Sequence, residues 1–372
     1  MTFINVIIVG AGPAGIGIAS LLSKTDIDYI VLEKKEVGSS FISWPENMEM
    51  ITPSFPSNAF GQMDLNAVAP LTSPAFAFGK EHLTGIEYAK YLSKVEALNE
   101  VEVETHTEVQ SVEKQGNSWI IQTNKGKLIC RYLIWAAGEF SNPQMKGIAG
   151  AEYCIHSSAI ERPSNLEGDD FIIIGGYESG VQMGLWLIEN GKKVTIINPT
   201  KVNDLQTSDP SKVLSPYTLE KYKKLKQSAN YTEIIGAVEN VLKSENNYCV
   251  QLEDNRLIKS KQKPICATGF SLVKKPIEQL ITLRDDGLPI LNEETDELLN
   301  QRNIYLAGPS VRHGNHIFCF IYKFRQRFGV IVEDILNKEL YNVNDIVSLV
   351  KIWKYNGLYL SDLSCCDEEC LC

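Results

Sequence analysis

The chain has 372 residues, 44% of them apolar and 22% charged, with a formal net charge of −10. That length allows two or three domains with cores of their own, and the composition excludes wholesale disorder, a collagen-like repeat and a multi-span membrane protein. The acidic balance, 36 Lys plus Arg against 46 Asp plus Glu, argues against a nucleic-acid partner, which needs a concentrated basic surface.

Residues 5–9 predict a β-branched strand that runs into Gly10, Gly12 and Gly15, with a helix over 16–23 and a second buried strand over 28–33. Residues 38–85 are rich in Ser, Pro, Asn, Phe and Met and weakly periodic; a loop of that length inside a domain is usually functional. A helix is expected over 86–98, then strands of a small antiparallel sheet over 101–112 and 119–123, then a buried strand over 132–136 that ends at Ala137 and Gly138. The strand, glycine turn, helix, strand unit then recurs, with strand 171–174, turn 175–180, a helix to 190 and strand 193–197. Residues 219–226 have the spacing of a solvated basic helix face. Strands ending in small residues follow at 264–270 and 303–308, and a long helix is expected from 316 to 337.

Gly10-x-Gly12-x-x-Gly15, with Pro13 and Ala14 inside it, opens a helix directly after a strand. There a pyrophosphate can approach backbone N–H groups at a helix N-terminus, where the dipole favours negative charge. Glu33 ends the next strand, placed to accept hydrogen bonds from both ribose hydroxyls of an adenosine. The second turn keeps Gly175 and Gly180 but carries Tyr177, Glu178 and Ser179 between them, so Tyr177 stands where the middle glycine belongs. Its following strand ends in Asn198, Pro199, Thr200 and Lys201, without an acid. An acid would repel a 2′-phosphate, whereas Asn198, Thr200 and Lys201 suit it, so the second site is expected to prefer NADPH to NADH. Two dinucleotide sites imply two electron carriers: FAD at the first turn, NADPH at the second.

On these motifs the chain resembles the two-dinucleotide-binding-domain flavoproteins, and among them the flavin-containing monooxygenase-like group. The resemblance extends to Gly38-Ser39-Ser40-Phe41, the stretch from Trp44 to Pro53, and the linkers Ala136-Ala137-Gly138 and Ala267-Thr268-Gly269. It implies an α/β fold with two Rossmann-like dinucleotide-binding domains and a small antiparallel sheet. The FAD domain would be discontinuous, at 1–155 and 265–345, with the NADPH domain inserted at 156–264 and a C-terminal helix and cysteine-rich tail at 346–372. It also implies FAD contacts at Lys34, Ser40, Phe41, Trp44, Val109, Ala137, Gly138, Gly308, Pro309 and Ile317. Ile317 would contribute from the N-terminus of the long helix, aimed at the flavin pyrimidine.

Of the group's monooxygenase fingerprint only His156 survives. His156 and His316 are the catalytic candidates. The chain also resembles the bacillithiol-disulfide reductases, which carry a cysteine where this chain has Ala14; neither that cysteine nor a C-x-x-C pair is present. Nine cysteines without a disulfide framework, and no basic segment ahead of the uncharged run 6–23, place the expected location in a reducing cytoplasm. Cys365, Cys366, Cys370 and Cys372 crowd the C-terminus, where they suit a soft metal or a thiol relay. His313, His316 and Cys319 also have spacings that a metal could use. The expected activity is an NADPH-dependent FAD monooxygenase that oxygenates a small molecule through a flavin hydroperoxide. The alternatives are a reductase of a disulfide, quinone or metal species that uses the C-terminal cysteines, and a non-enzymatic flavoprotein. A small-molecule substrate is the expected partner, with no membrane or nucleic acid and a homodimer left open.

Overall fold

The computed structural model describes residues 2–46, 48–56, 62–145, 147–201, 207–245, 247–272 and 275–364; the four tail cysteines lie outside these. The first strand, β1 (Thr2–Val9), is buried throughout its last four residues, because it pairs on both sides. It runs parallel to β2 (Tyr29–Leu32), with Val9 opposite Leu32. Next come β3 (Val103–Glu104), β4 (Val109–Gln115), β5 (Ser118–Thr123) and β6 (Gly126–Trp135). The ten residues of β6 pair on both edges within one mixed sheet: parallel to β1 along most of its length, and antiparallel to β5 over its first half. The strand order is β3-β2-β1-β6-β5-β4. Helix Pro13–Leu22 follows β1 and is buried over nearly its whole surface. Its Gly17 is required by the ring of Phe328, which a Cβ would meet at 2.1 Å. Helix Gly85–Asn99 starts with a reciprocal cap between Thr84 and Glu87.

The second sheet contains β7 (Ile155–His156), β8 (Asp170–Ile174) and β9 (Lys193–Asn198). After these come β10 (Tyr231–Ile235), the antiparallel strands β11 (Val238–Lys243), β12 (Tyr248–Leu252) and β13 (Leu257–Ser260), and finally β14 (Ile265–Cys266). Five of these form a parallel sheet in the order β10-β9-β8-β14-β7, beside the three-stranded β11-β12-β13. Side chains alternate across β8 as strand geometry demands. Phe171 and Ile173 pack with Val181 and Leu187 of helix Glu178–Glu189, whereas Ile172 and Ile174 pack with Val241 and Val250 of the antiparallel strands. The basic stretch lies on helix Pro216–Gln227, whose buried side is Thr218, Tyr222 and Leu225.

The chain then returns to the first sheet with β15 (Ile304–Leu306), parallel to the late half of β6 with Leu306 opposite Trp135. Here the structure corrects the long helix expected from 316. Residues 312–317 form a two-stranded hairpin, β16 (Arg312–His313) and β17 (His316–Ile317), turned by Gly314 at φ +51. Helical structure starts only at Ile321–Phe324, tightens to a 3-10 turn at Arg325–Arg327 and continues as Phe328–Lys338, followed by helix Val343–Tyr355. Ile317 is therefore a strand residue and not a donor at a helix N-terminus. By internal contacts the chain divides into two units. One holds residues up to Ile42, Thr52–Ser141 and everything described from Leu272 onward; the other holds Ser43–Ile51 and Asn142–Ser271.

Candidate functional site

The two glycine turns repeat one geometry. Gly10 N–H donates to the Leu32 carbonyl at 2.8 Å, and Gly175 N–H to the Ile197 carbonyl at 2.9 Å, so each turn is tied to the strand that follows its helix. Gly10 stands at φ +105 and Gly175 at φ +97, conformations that only glycine adopts without strain. A Cβ on Gly10 would lie 2.6 Å from the Ala136 carbonyl oxygen, and one on Gly175 2.5 Å from that of Ala267. Gly15 and Gly180 are each so close to the preceding turn that a Cβ would come within 1.9 Å of the carbonyl oxygen of Gly10 or Gly175.

The middle position is where the turns part. Gly12 has φ −84 and ψ −170, and a Cβ there would meet no atom within 4 Å. This is the open approach that a pyrophosphate needs to reach the backbone at the start of helix Pro13–Leu22. Tyr177 has nearly the same backbone, φ −91 and ψ −158, so its side chain leaves along that open direction. Its hydroxyl donates to the Val213 carbonyl, which ties the ring across the turn.

The end of the second strand of each unit reaches back to its turn. Glu33, 7% exposed, accepts from Ala11 N–H at 2.8 Å through one oxygen, and from Lys35 N–H at 2.8 Å and Ser39 Oγ at 3.0 Å through the other. Three donors orient the carboxylate and still leave acceptor capacity for a ribose hydroxyl. Asn198 occupies the matching place: its Oδ1 accepts from Gly176 N–H, as Glu33 does from Ala11. Its Nδ2, however, is buried and has no protein acceptor. An orphaned buried donor costs free energy unless a ligand supplies an acceptor. Both turns therefore fit dinucleotides, the first through one ribose hydroxyl on the free acceptor site of Glu33 and the second through an acceptor-rich group.

Other expected site residues fall in several places. Lys34 is engaged in an exposed ion pair with Glu108 at 2.7 Å. Phe41 packs its ring against Tyr88, 4.7 Å between centroids. Val109 opens β4 opposite Thr123. Ser40 lies in the short helix Ser39–Ile42; Trp44 groups with the other unit. Ala137 and Gly138 continue from β6, Gly308 ends the β15 connection at φ +104, and the Pro309 carbonyl accepts from Arg312 at 2.7 Å. Ala14 is buried, with its methyl 3.5 Å from where a Cβ of Gly308 would stand. Lys201 is exposed, and Ser179 lies in the first turn of helix Glu178–Glu189. The Glu178 carboxylate is turned to Ser215 N–H at 2.6 Å, Ser215 Oγ at 3.2 Å and the Thr218 hydroxyl. Burial pushes its pKa up against these donors.

The two histidine candidates differ in their constraints. His156 is 5% exposed; its Nδ1 accepts from Ser158 N–H at 3.2 Å and lies 2.8 Å from Ser158 Oγ, while Nε2 faces the Gly269 carbonyl at 3.1 Å. That partner set fixes the Nε2–H tautomer, and desolvation holds the pKa below its ordinary 6.5. The ring pins the end of the Ala267-Thr268-Gly269 linker and has no nitrogen left for a substrate. Because the folded pKa is depressed, His156 contributes stability that is complete above 6.5 and is lost as pH falls through the folded value. His156→Gln should lower the melting temperature at pH 7.5 and flatten its decline toward pH 5.5 relative to the parent, as read by thermal scans at both pH values. His316, in β17, is half-buried.

Residues far apart in sequence build a polar hub, of which spacing flagged only His313, and that as a metal ligand. Asp296, fully buried, accepts from Arg327 Nε at 3.0 Å and Nη2 at 3.1 Å and pairs with His313 Nε2 at 2.6 Å. His313 is thus committed to a carboxylate. Among the described residues no group of three His, Cys, Asp or Glu is placed to hold a metal, and no helix is long and apolar enough to cross a membrane.

Comparison with known proteins places the two turns in a family. The family model described as pyridine nucleotide-disulphide oxidoreductase matches residues 7–308, from β1 through the end of the β15 segment. The chain belongs to the pyridine nucleotide-disulphide oxidoreductase family. FAD and NAD(P)H are accordingly its cofactors, and its architecture is the family's two dinucleotide-binding domains. It is 25% identical over 337 residues to the bacilliredoxin reductase Bdr of Bacillus subtilis (strain 168), covering 90% of this chain and 98% of that protein. In structure it is similar to the bacillithiol disulfide reductase Bdr (YpdA) of Staphylococcus aureus, with a TM-score of 0.74 at 21% identity over 91% of this chain and 100% of that one. It is also similar to a flavin-containing monooxygenase of Stenotrophomonas maltophilia, with a TM-score of 0.72 at 16% identity over 91% of this chain and 99% of that one. At those identities the two structures bear on the fold alone.

Proposed function

We propose that this oxidoreductase takes electrons from NADPH and passes them through FAD to a disulfide, the reading held above as the alternative to oxygenation. The observation that carries it is the end-to-end similarity to bacilliredoxin reductase, over 98% of that protein's length. The locked state of His156 supports it too, because the one surviving residue of the monooxygenase fingerprint has both nitrogens occupied.

When bound, FAD accepts a hydride from the nicotinamide and releases the electron pair to the acceptor. The chain's own residues do the binding and the positioning. Backbone N–H groups at the start of helix Pro13–Leu22 receive the FAD pyrophosphate across the open face of Gly12, and Glu33 receives the adenosine ribose. Ser40, Phe41, Ala137, Gly138, Gly308 and Pro309 flank the rest of the flavin. Asn198 Nδ2, helped by Lys201, receives the 2′-phosphate that distinguishes NADPH, and the tether of Tyr177 to Val213 holds its ring beside the second turn.

With Ala14 in place of a cysteine, the thiols for exchange come from Cys365, Cys366, Cys370 and Cys372. A pair of them held as thiols would attack the substrate disulfide through a mixed disulfide, release two thiols and close to a disulfide, which bound FAD would supply the electrons to reopen. Overall NADPH, a proton and a disulfide yield NADP⁺ and a thiol pair. Replacing all four tail cysteines with Ser should leave anaerobic reduction of the flavin by NADPH intact and lower disulfide reduction by about 100-fold or more, the scale of losing an essential nucleophile. Undiminished disulfide reduction by that variant would remove the tail from the reaction.

A further inference from the structure

We propose a second small-molecule site in the same unit as the first glycine turn: a cation-lined cavity that binds a polyvalent oxyanion, carrying phosphate or carboxylate groups. The cavity has a volume of about 480 Å³ and lies between the β4–β5 turn, the middle of β6, the start of β15 and the last turn of helix Phe328–Lys338. Lys114, Arg131, Arg302 and Lys338 line it, with Glu297 the one acid among its lining residues.

Pairing inside the wall decides how much positive charge is left over. Lys338 meets Glu297 at 2.9 Å and Asp334 at 2.8 Å, and Arg131 meets Glu339 at 2.6 Å. Among the described residues neither Lys114 nor Arg302 forms an ion pair; Lys114 lies over the Trp119 ring, 5.7 Å from its centroid. Glu297 is further committed, because it also accepts from Asn303 N–H. Lys114 and Arg302, both exposed, thus face one cavity without an ion-pair partner, and the four cations set against Glu297, Asp334 and Glu339 leave a surplus of one positive charge there, in a chain whose net charge is −10. Like charges confined to one concave surface repel each other, and a bound oxyanion relieves that repulsion while accepting charge-assisted hydrogen bonds.

The wall is structured around these groups. Trp119, 1% exposed, donates its indole N–H to the Arg302 carbonyl at 3.3 Å, which fixes the segment carrying Arg302. Asn303 is held at φ +67. The place is also distinct from the dinucleotide site. The glycine turn and the ends of β1, β2, β6 and β15 that face it are the carboxyl ends of parallel strands, whereas Arg302 and Asn303 precede β15 at its opposite end. A volume of this size exceeds what one phosphate fills, which favours an organic molecule bearing more than one anionic group.

The test is calorimetric titration of the full chain, saturated with FAD and NADP⁺ so that neither nucleotide site competes. Inorganic pyrophosphate and citrate serve as probes, with sodium chloride of matched ionic strength as the control. The proposal expects saturable binding of one or both probes, weakened at least about tenfold by Arg302→Glu and by Lys114→Glu, on the scale of one charge-assisted hydrogen bond. Tighter pyrophosphate binding marks a phosphate ligand and tighter citrate binding a carboxylate one. Flavin content and melting temperature of Arg302→Gln keep loss of fold separate from loss of the site. Absence of saturable binding by either probe, or binding that the substitutions leave unchanged, overturns the proposal.

Discussion

Gly15→Ala should abolish the folded, flavin-loaded protein, whereas Gly12→Ala should leave the fold and lose the flavin. The contrast follows from what each new methyl would meet. At Gly15 it would lie 1.9 Å from the Gly10 carbonyl oxygen, a backbone atom that cannot turn aside as a side chain can. Gly10 is itself held through its N–H to Leu32 and by its own closeness to the Ala136 carbonyl. Separating strand, turn and helix to make room would disrupt the packing of β1, β2 and helix Pro13–Leu22. A cost of about 4 kcal/mol or more is expected, in the range where single substitutions unfold domains. At Gly12 a methyl meets no protein atom within 4 Å, and φ −84 suits any L-residue, so stability should change by less than about 1 kcal/mol. The methyl would instead occupy the direction from which the pyrophosphate approaches the backbone. Soluble yield, melting temperature and the visible flavin band of the two purified variants check this. A yellow Gly15→Ala protein of parental stability would contradict it.

Asn198→Asp should convert a preference for NADPH into one for NADH. The exchange keeps an oxygen for Gly176 N–H, so the turn survives, but it replaces the unpartnered Nδ2 donor with an anionic oxygen. A 2′-phosphate would then lose a charge-assisted hydrogen bond and face a like charge, a combined loss of about 3 kcal/mol or more, which is about 100-fold in apparent affinity. NADH has hydroxyls there, and a carboxylate accepts from them, the part that Glu33 is placed to play at the first turn. Rates of flavin reduction over a range of each nucleotide give the two constants. An unchanged NADPH constant would mean that the orphaned amide does not face the nucleotide.

The parts of the site legible in the sequence are those that depend on close approach over short separations. Gly10, Gly15, Gly175 and Gly180 are needed because their carbonyls and Cα atoms nearly touch, and few other residue types fit, so spacing alone reveals them. The acid or amide at the strand end was legible for the same reason, being fixed in place by the turn it closes. The start of the helix after 316 was not legible. Apolar periodicity continues unbroken through 316–320, and Gly314 with Asn315 supplies a hairpin turn, with glycine at its first central position, that local helical spacing hides. The buried hub of Asp296, His313 and Arg327 was likewise beyond reach, because its members come from three segments that meet only when β15 and the helix after it are in place. His156 illustrates the reverse case. Its survival from a fingerprint suggested chemistry, yet its partners Ser158 and Gly269 give it a pinning role in this fold.

The central claim, electron flow from NADPH through FAD to a disulfide, is tested most directly by visible absorbance under argon. The protein is mixed with one equivalent of NADPH and then, in separate runs, with an aromatic disulfide or with air-saturated buffer. The account predicts bleaching of the flavin band by NADPH, prompt return on adding the disulfide with release of a thiol pair per NADPH, and slower return in air. Flavin that stays bleached with the disulfide, but returns in air with transfer of an oxygen atom to a small-molecule acceptor, would contradict it and restore the monooxygenase reading.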